Sequence, residues 1–168
     1  MTNLSAQLRE KLQQQFCLKS LFICKRLESK TDNTVKYLYE LDDGNHIESV
    51  LMEYNHGNTI CVSTQVGCKM GCAFCASTLG GFKRSLLPGE ILSQLYCAQR
   101  DLGERISHIV LMGMGEPFDN MDNLLKALEI MTAEWGYGWS PTRITVSTSG
   151  VGKELERFLN STSVHLAI

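Results

Sequence analysis

From residue 59 onward the chain alternates short apolar runs with amphipathic helical stripes, and this rhythm restricts the fold more than any other feature. Residues 59–64 read as a strand. Residues 88–102 read as a helix, with Pro88 at its first position and Ile91, Leu92, Leu95 and Ala98 on one face. Gly103 suits the C-terminal cap. Residues 106–112 form a short apolar run, as in a parallel sheet covered on both faces. Met121, Leu124, Leu125, Leu128 and Met131 line one face of a helix over 120–133. A strand at 143–147, a helix at 151–160 and a strand at 164–168 follow. Alternating strands and helices imply parallel strands with helical crossovers. The expected class is therefore α/β, a partial (β/α) barrel of about three and a half units, too few to close. On that pattern the chain reads as a truncated barrel.

Residues 4–16 read as a helix, with Leu4, Leu8, Leu12 and Phe16 spaced every fourth position. Runs at 21–26, 35–41 and 46–54 look like strands. The turn signals Asp42-Asp-Gly-Asn45 and Asn55-His-Gly-Asn58 punctuate them. Residues 1–57 are thus expected to form a helix and a small antiparallel sheet, the remnant of an accessory region. Residues 58–168 are expected to form the barrel unit.

The chemistry announces itself in the run Val66-Gly-Cys-Lys-Met-Gly-Cys-Ala-Phe-Cys-Ala76, where Cys68, Cys72 and Cys75 have C-x3-C-x2-C spacing. Thiolates are the usual protein ligands of iron–sulfur clusters. Three of them leave one iron of a cubane without a protein ligand, and an open metal position is where substrate meets metal. The competing reading is a closed four-thiolate zinc site, Cys61, Cys68, Cys72 and Cys75, in an interaction module. Zinc loops usually show two C-x2-C pairs or matching histidines, and only one such pair is present. Cys17, Cys24 and Cys97 fall in elements that read as structural.

Composition narrows the classes further. Apolar residues make up 43% of the 168, and no stretch approaches the roughly 20 apolar residues of a membrane span. Nothing at the N-terminus resembles a signal peptide. Seven cysteines without such a signal argue for reduced thiols and a cytoplasmic setting. The net charge of −2 excludes a generally basic nucleic-acid binder but leaves room for a local basic patch. Lys83 and Arg84 are a small candidate patch, though an ordinary solvated pair explains them better.

Two motifs end later strands. Leu111-Met-Gly-Met-Gly-Glu-Pro117 brings glycines to a strand end, where a ligand can approach the backbone. Glu116 could accept a hydrogen bond from a ligand amine; alternatively the segment is a tight turn. Thr145-Val-Ser-Thr-Ser-Gly150 ends the next strand, with Ser147 the better ligand candidate and Ser149 the better helix cap. On strand alternation Glu48 shares a face with Val50 and Met52, as an edge charge or a functional acid/base. Cys61 alone reads as a buried strand cysteine.

The cysteine spacing, with Phe74 before the third cysteine, resembles the signature of radical S-adenosylmethionine (SAM) enzymes. His46-Ile-Glu-Ser-Val50, Cys61-Val-Ser-Thr-Gln-Val-Gly-Cys68, Gly81-Phe82, Gly113-Met-Gly-Glu-Pro117 and Ser147-Thr-Ser-Gly150 narrow this. Together they resemble the RlmN family of dual-specificity rRNA/tRNA adenine C2-methyltransferases, related to the Cfr enzymes. Pro117 after the glutamate is more similar to the RlmN branch. The resemblance implies that Cys68, Cys72 and Cys75 hold a 4Fe-4S cluster and that Gly115, Glu116 and Ser147 contact SAM. It implies that Glu48 is a proton-transfer carboxylate and that Cys61 resolves a covalent enzyme–RNA intermediate through a disulfide. The implied reaction methylates C2 of adenosine in 23S rRNA, with tRNA a further substrate left open. The implied donor of electrons is a reductase or flavodoxin-type protein, and no membrane is involved. In such enzymes a second cysteine, near the C-terminus, carries the methyl group. The sequence stops where a Ser-Leu-His motif should follow and has no cysteine in the methyl-carrying context. The expectation is that this chain binds the cluster poorly and does not complete methylation alone.

Overall fold

The computed structural model describes residues 4–15 and 21–168. In chain order the elements are α1 (Ala6–Gln15), β1 (Phe22–Glu28), β2 (Val35–Glu40), β3 (His46–Tyr54), β4 (Gly57–Cys61), β5 (Gln65–Val66) and β6 (Arg84–Ser85). They continue with α2 (Pro88–Leu102), β7 (Ile106–Leu111), α3 (Met121–Thr132), β8 (Ile144–Ser147), α4 (Gly152–Ser161) and β9 (His165–Ala167).

Seven strands make one sheet in the order β1-β2-β3-β4-β7-β8-β9. The first three junctions are antiparallel. The last three are parallel, each crossing over through a helix. The antiparallel strands are therefore not a separate small sheet. They extend the parallel one through β3, whose Val50 and Leu51 pair with Cys61 and Ile60 of β4.

Alternation along β3 decides which face is which. Ile47, Ser49 and Leu51 are buried, whereas Glu48, Val50 and Met52 are half-buried on the other face. The buried face meets the helices. Ile91, Leu95 and Ala98 of α2, Leu124 and Met131 of α3 and Phe158 of α4 join one core with Ile60, Ile109, Leu111, Ile144 and Val146. The helix layer also covers β2. Tyr37 and Tyr39 stack 5.6 Å apart and are fully buried. Tyr37 donates to the Asp101 carboxylate at 2.8 Å and Tyr39 to the Gln94 carbonyl at 3.4 Å, both on α2. Burial of the rings and the nearby Asp101 charge push both phenols well above their ordinary range.

Three expectations need adjustment. The strand expected over 59–64 ends at Cys61, because the next backbone groups take other partners. Ser63 N–H donates to the Gln94 side chain at 2.8 Å, and Thr64 N–H to the Met114 carbonyl at 2.9 Å. The stripe of α1 is not core: none of its residues is buried and Leu8 is exposed. Phe16 and Cys17 lie outside the described residues. Arg84 is no solvated basic patch, since its guanidinium makes a bidentate pair with buried Glu90 at 2.8 Å and reaches Asp43 at 2.5 Å. That pair holds the Asp43 carboxyl well below the usual carboxylate range. Glu90 also accepts from Leu87 N–H at 2.8 Å, so one carboxylate fixes both the start of α2 and the end of the cysteine loop.

Candidate active site

The cysteine loop is a closed excursion at the C-terminal end of β4. Its arms are the short ribbon β5–β6, where Gln65 pairs with Ser85 and Val66 with Arg84. Lys83 N–H donates to the Val66 carbonyl at 2.9 Å. At the neck, Gly67 has φ +72, and a Cβ there would lie 1.8 Å from the Gly81 carbonyl oxygen. Glycine is required on both counts: the left-handed backbone and the close approach. We expect Gly67→Ala to spread the neck without unfolding the helix-backed sheet. The check is limited trypsin digestion, which should cut faster after Lys69 and Lys83 while the circular dichroism of the core is retained. Unchanged cutting would show that the neck tolerates the methyl group.

Within the loop, Cys68 is buried, and Cys72 and Cys75 are half-buried. All three are free thiols. Cys75 N–H donates to the Cys72 carbonyl at 3.0 Å, so the C-x2-C pair sits on a tight turn. Lys69 is anchored outward, on Asp119 at 2.6 Å and over the Phe82 ring at 5.7 Å. No three of Cys61, Cys68, Cys72 and Cys75 bring their thiols all within 4.8 Å of one another. The thiolates of one tetrahedral zinc stand only about 3.8 Å apart, given a Zn–S bond near 2.3 Å. A cubane cluster binds each cysteine to a different iron and so takes wider spacing. The donor set, three free thiols on one loop with closed arms, thus fits an iron–sulfur cluster and not the four-thiolate zinc site.

The segment after β7 is clamped onto the base of this loop. Gly113 N–H donates to the Val62 carbonyl at 3.0 Å. Met114 N–H donates to the Ser63 hydroxyl at 2.9 Å, and that hydroxyl donates to the Glu48 carbonyl at 2.6 Å. Glu116 N–H donates to the Gln65 side chain at 2.9 Å. Asn120 bridges the carbonyls of Thr64 and Leu86, both at 2.9 Å. A Cβ on Gly115 would lie 2.5 Å from that of Gln65. One hydrogen-bonded block therefore contains the strand of Glu48, the loop arms and the Gly115-Glu116 turn.

The third loop joins through Glu116 itself. Its carboxylate is buried and accepts from Phe118 N–H at 3.0 Å, Thr148 Oγ1 at 2.6 Å, Ser149 N–H at 2.9 Å and Ser149 Oγ at 3.0 Å. Ser149 therefore binds Glu116 and does not cap α4, which starts at Gly152 with Val151 before it. Ser147 ends β8 half-buried, and its hydroxyl has no partner among the described residues.

Glu48 and Cys61 share the sheet face turned away from the helices, together with Val50. Glu48 is half-exposed and paired with Lys36 at 2.8 Å. Cys61 lines a cavity of about 580 Å³ with Val50, Met52, Val110, Met112 and Thr145. Burial pushes its thiol above the ordinary range, partly offset by Met112 N–H. The sequence reading missed Ser63, Gln65, Asn120 and Thr148, which hold the loops together. For Ser63 and Gln65 the only signal was that polar residues stand where an apolar strand continues; Asn120 and Thr148, in a turn before α3 and past the end of β8, carried none.

The sequence matches the family described as the radical SAM superfamily over residues 62–168, well over half of the chain. It is 52% identical over 151 residues to a "probable dual-specificity RNA methyltransferase RlmN" of Clostridium acetobutylicum, covering 90% of this chain and 44% of the relative. A relative of the same description from Desulforamulus reducens is 48% identical over 169 residues, covering all of this chain and 48% of its own length. The chain thus spans about half the length of the curated relatives it matches. Among solved structures, a radical SAM methyltransferase from Sphaerobacter thermophilus superposes with a TM-score of 0.91 at 38% identity, over 98% of this chain and 50% of that one. No helix among the described residues is long and apolar enough to cross a membrane. With the cysteine loop and the parallel sheet of helical crossovers already in place, the match over 62–168 means that this chain belongs to the radical SAM superfamily.

Proposed function

We propose that the protein is a radical SAM RNA methyltransferase that adds a methyl group to C2 of adenosine in 23S rRNA, and that tRNA is a second substrate. The observation that carries this reading is the joining of three strand-end loops into one block: the cysteine loop, the Gly115-Glu116 turn and the Ser147–Gly150 segment. Ligands of α/β barrels bind at this end of the strands. The identity to curated RlmN proteins supplies the substrate class.

In this reading Cys68, Cys72 and Cys75 hold a 4Fe-4S cluster, and Gly115, Glu116 and Ser147 contact SAM. The cluster and SAM together supply one-electron chemistry suited to a carbon that is not nucleophilic. The chain's own residues orient and protect. Gly115 lets Gln65 pack directly against the turn, and Gln65 fixes the peptide beside it. Glu116 has its carboxylate occupied by β8-loop donors, so it serves by locking the turn that presents its backbone groups. The Ser147 hydroxyl is free to bind a ligand. Glu48, kept next to the loop base by its carbonyl bond to Ser63, acts as the proton-transfer carboxylate. Cys61 is the resolving thiol, and its raised pKa keeps it protonated until a partner sulfur is presented. Residues 1–57 act as an accessory region and 58–168 as the barrel unit. The protein works in the cytoplasm, with electrons from a reductase or flavodoxin-type donor.

The test is nucleoside analysis by mass spectrometry of 23S rRNA and tRNA from a host that lacks this modification and expresses the gene. The expected result is 2-methyladenosine when these 168 residues are joined to the segments that follow the matched region in the longer relatives, lost on Cys72→Ala and on Glu48→Gln, and none from the 168 residues alone. A different methylated nucleoside, or none, from the joined chain would overturn the assignment.

A further inference from the structure

The geometry points to a second metal site, remote from the cysteine loop, in which Cys24, Glu40 and His46 bind a zinc ion. Their candidate ligand atoms, one thiol sulfur, one carboxylate oxygen and one imidazole nitrogen, all lie within 4.8 Å of one another. The site rests on three neighbouring strands. Glu40 ends β2 and is the register partner of both Phe22 on β1 and His46 on β3. The β1–β2 register shifts between Ile23 and Lys25, which leaves Cys24 as the extra residue of a bulge. Bulges re-aim a side chain out of the regular alternation. Here the bulge places the Cys24 sulfur 3.6 Å from the Glu40 carboxylate. Two ligands of one tetrahedral zinc, with Zn–S near 2.3 Å and Zn–O near 2.0 Å, stand about 3.5 Å apart. The sulfur–oxygen pair therefore already has the spacing of two zinc ligands.

The donor chemistry matches a borderline-soft divalent cation. A thiolate, an imidazole and a carboxylate are the three zinc-ligand types, and three protein ligands leave the fourth position to water. The Cys24 thiolate and the Glu40 carboxylate would neutralise the charge of the ion. The thiol proton leaves to solvent on binding. All three residues are exposed, so the ion has an open entry path. They lie on the same sheet face as Glu48, two residues beyond His46. A bound ion would clamp β1, the edge strand, to β2 and β3. Neither the cluster cysteines nor the proposed reaction uses any of the three residues.

The test uses the whole protein and reads each cysteine separately. Iodoacetamide labelling of Cys24 is followed by mass spectrometry of its tryptic peptide, with and without zinc chloride at a free concentration set by a chelator buffer. Zinc is expected to slow labelling of Cys24 by about tenfold or more. His46→Ala and Glu40→Gln, both at exposed positions, are expected to restore the zinc-free rate. Cobalt chloride is expected to give a thiolate-to-cobalt absorption band that Cys24→Ser reduces. Equal labelling with and without zinc would overturn the site. So would protection that persists in both His46→Ala and Glu40→Gln, since a lone thiol would then account for it.

Discussion

Replacing Cys72 by alanine should bring the iron that the anaerobically reconstituted protein takes up down to near zero, with the fold intact. Bonds within the protein hold the two ends of the loop. Its neck is closed by the Val66–Lys83 bond and the β5–β6 pairs, and its base by Asn120 and the Arg84–Glu90 pair. Cys72 is only half-buried, so losing its sulfur removes little packing. Two remaining thiolates cannot hold a cubane that needs a ligand on each of three irons. Iron and sulfide assays, paired with a thermal melt, make the check. Iron retained at the parent level, or a melt that collapses together with the iron, would contradict the assignment of the loop as a ligand carrier.

Glu116→Ala should carry the largest cost in stability of any substitution at the site, about 3–5 kcal/mol. Its buried carboxylate takes bonds from Phe118 N–H, the Thr148 hydroxyl and both polar groups of Ser149. Removing it strands those donors and separates the β8 loop from the Gly115 turn. Glu116→Gln should cost less, because the amide oxygen still accepts, although its NH2 group faces donors. Urea denaturation gives the difference, and SAM binding by calorimetry should fall in both variants. A loss below about 1 kcal/mol for alanine would mean that water replaces the carboxylate, contrary to its burial.

The sequence carries much of this architecture openly, for a physical reason. Periodicity is a local property, so α2, α3 and α4 and the parallel strands fall close to their expected places. The superfamily is equally local, since the spacing of Cys68, Cys72 and Cys75 points to the family that the match over residues 62–168 shows. What periodicity cannot carry is long-range pairing. The β5–β6 ribbon joins residues on either side of the whole cysteine loop. The break after Cys61 depends on Gln94, a helix residue far along the chain. Arg84 looks like a surface charge until folding brings Glu90 and Asp43 to it. Glu116 looks like a ligand-facing acid until the β8 loop supplies its donors. The helix α1 shows the opposite failure: its apolar spacing is real, but no residue of it is buried.

The central claim is that the loop of Cys68, Cys72 and Cys75 holds a cubane cluster with one iron open to SAM. Electron paramagnetic resonance of the anaerobically reconstituted, dithionite-reduced protein, recorded with and without SAM, tests it most directly. The account predicts a reduced 4Fe-4S signal whose shape changes when SAM is added. A protein that forms no cluster and retains one tightly bound zinc on these cysteines would contradict it.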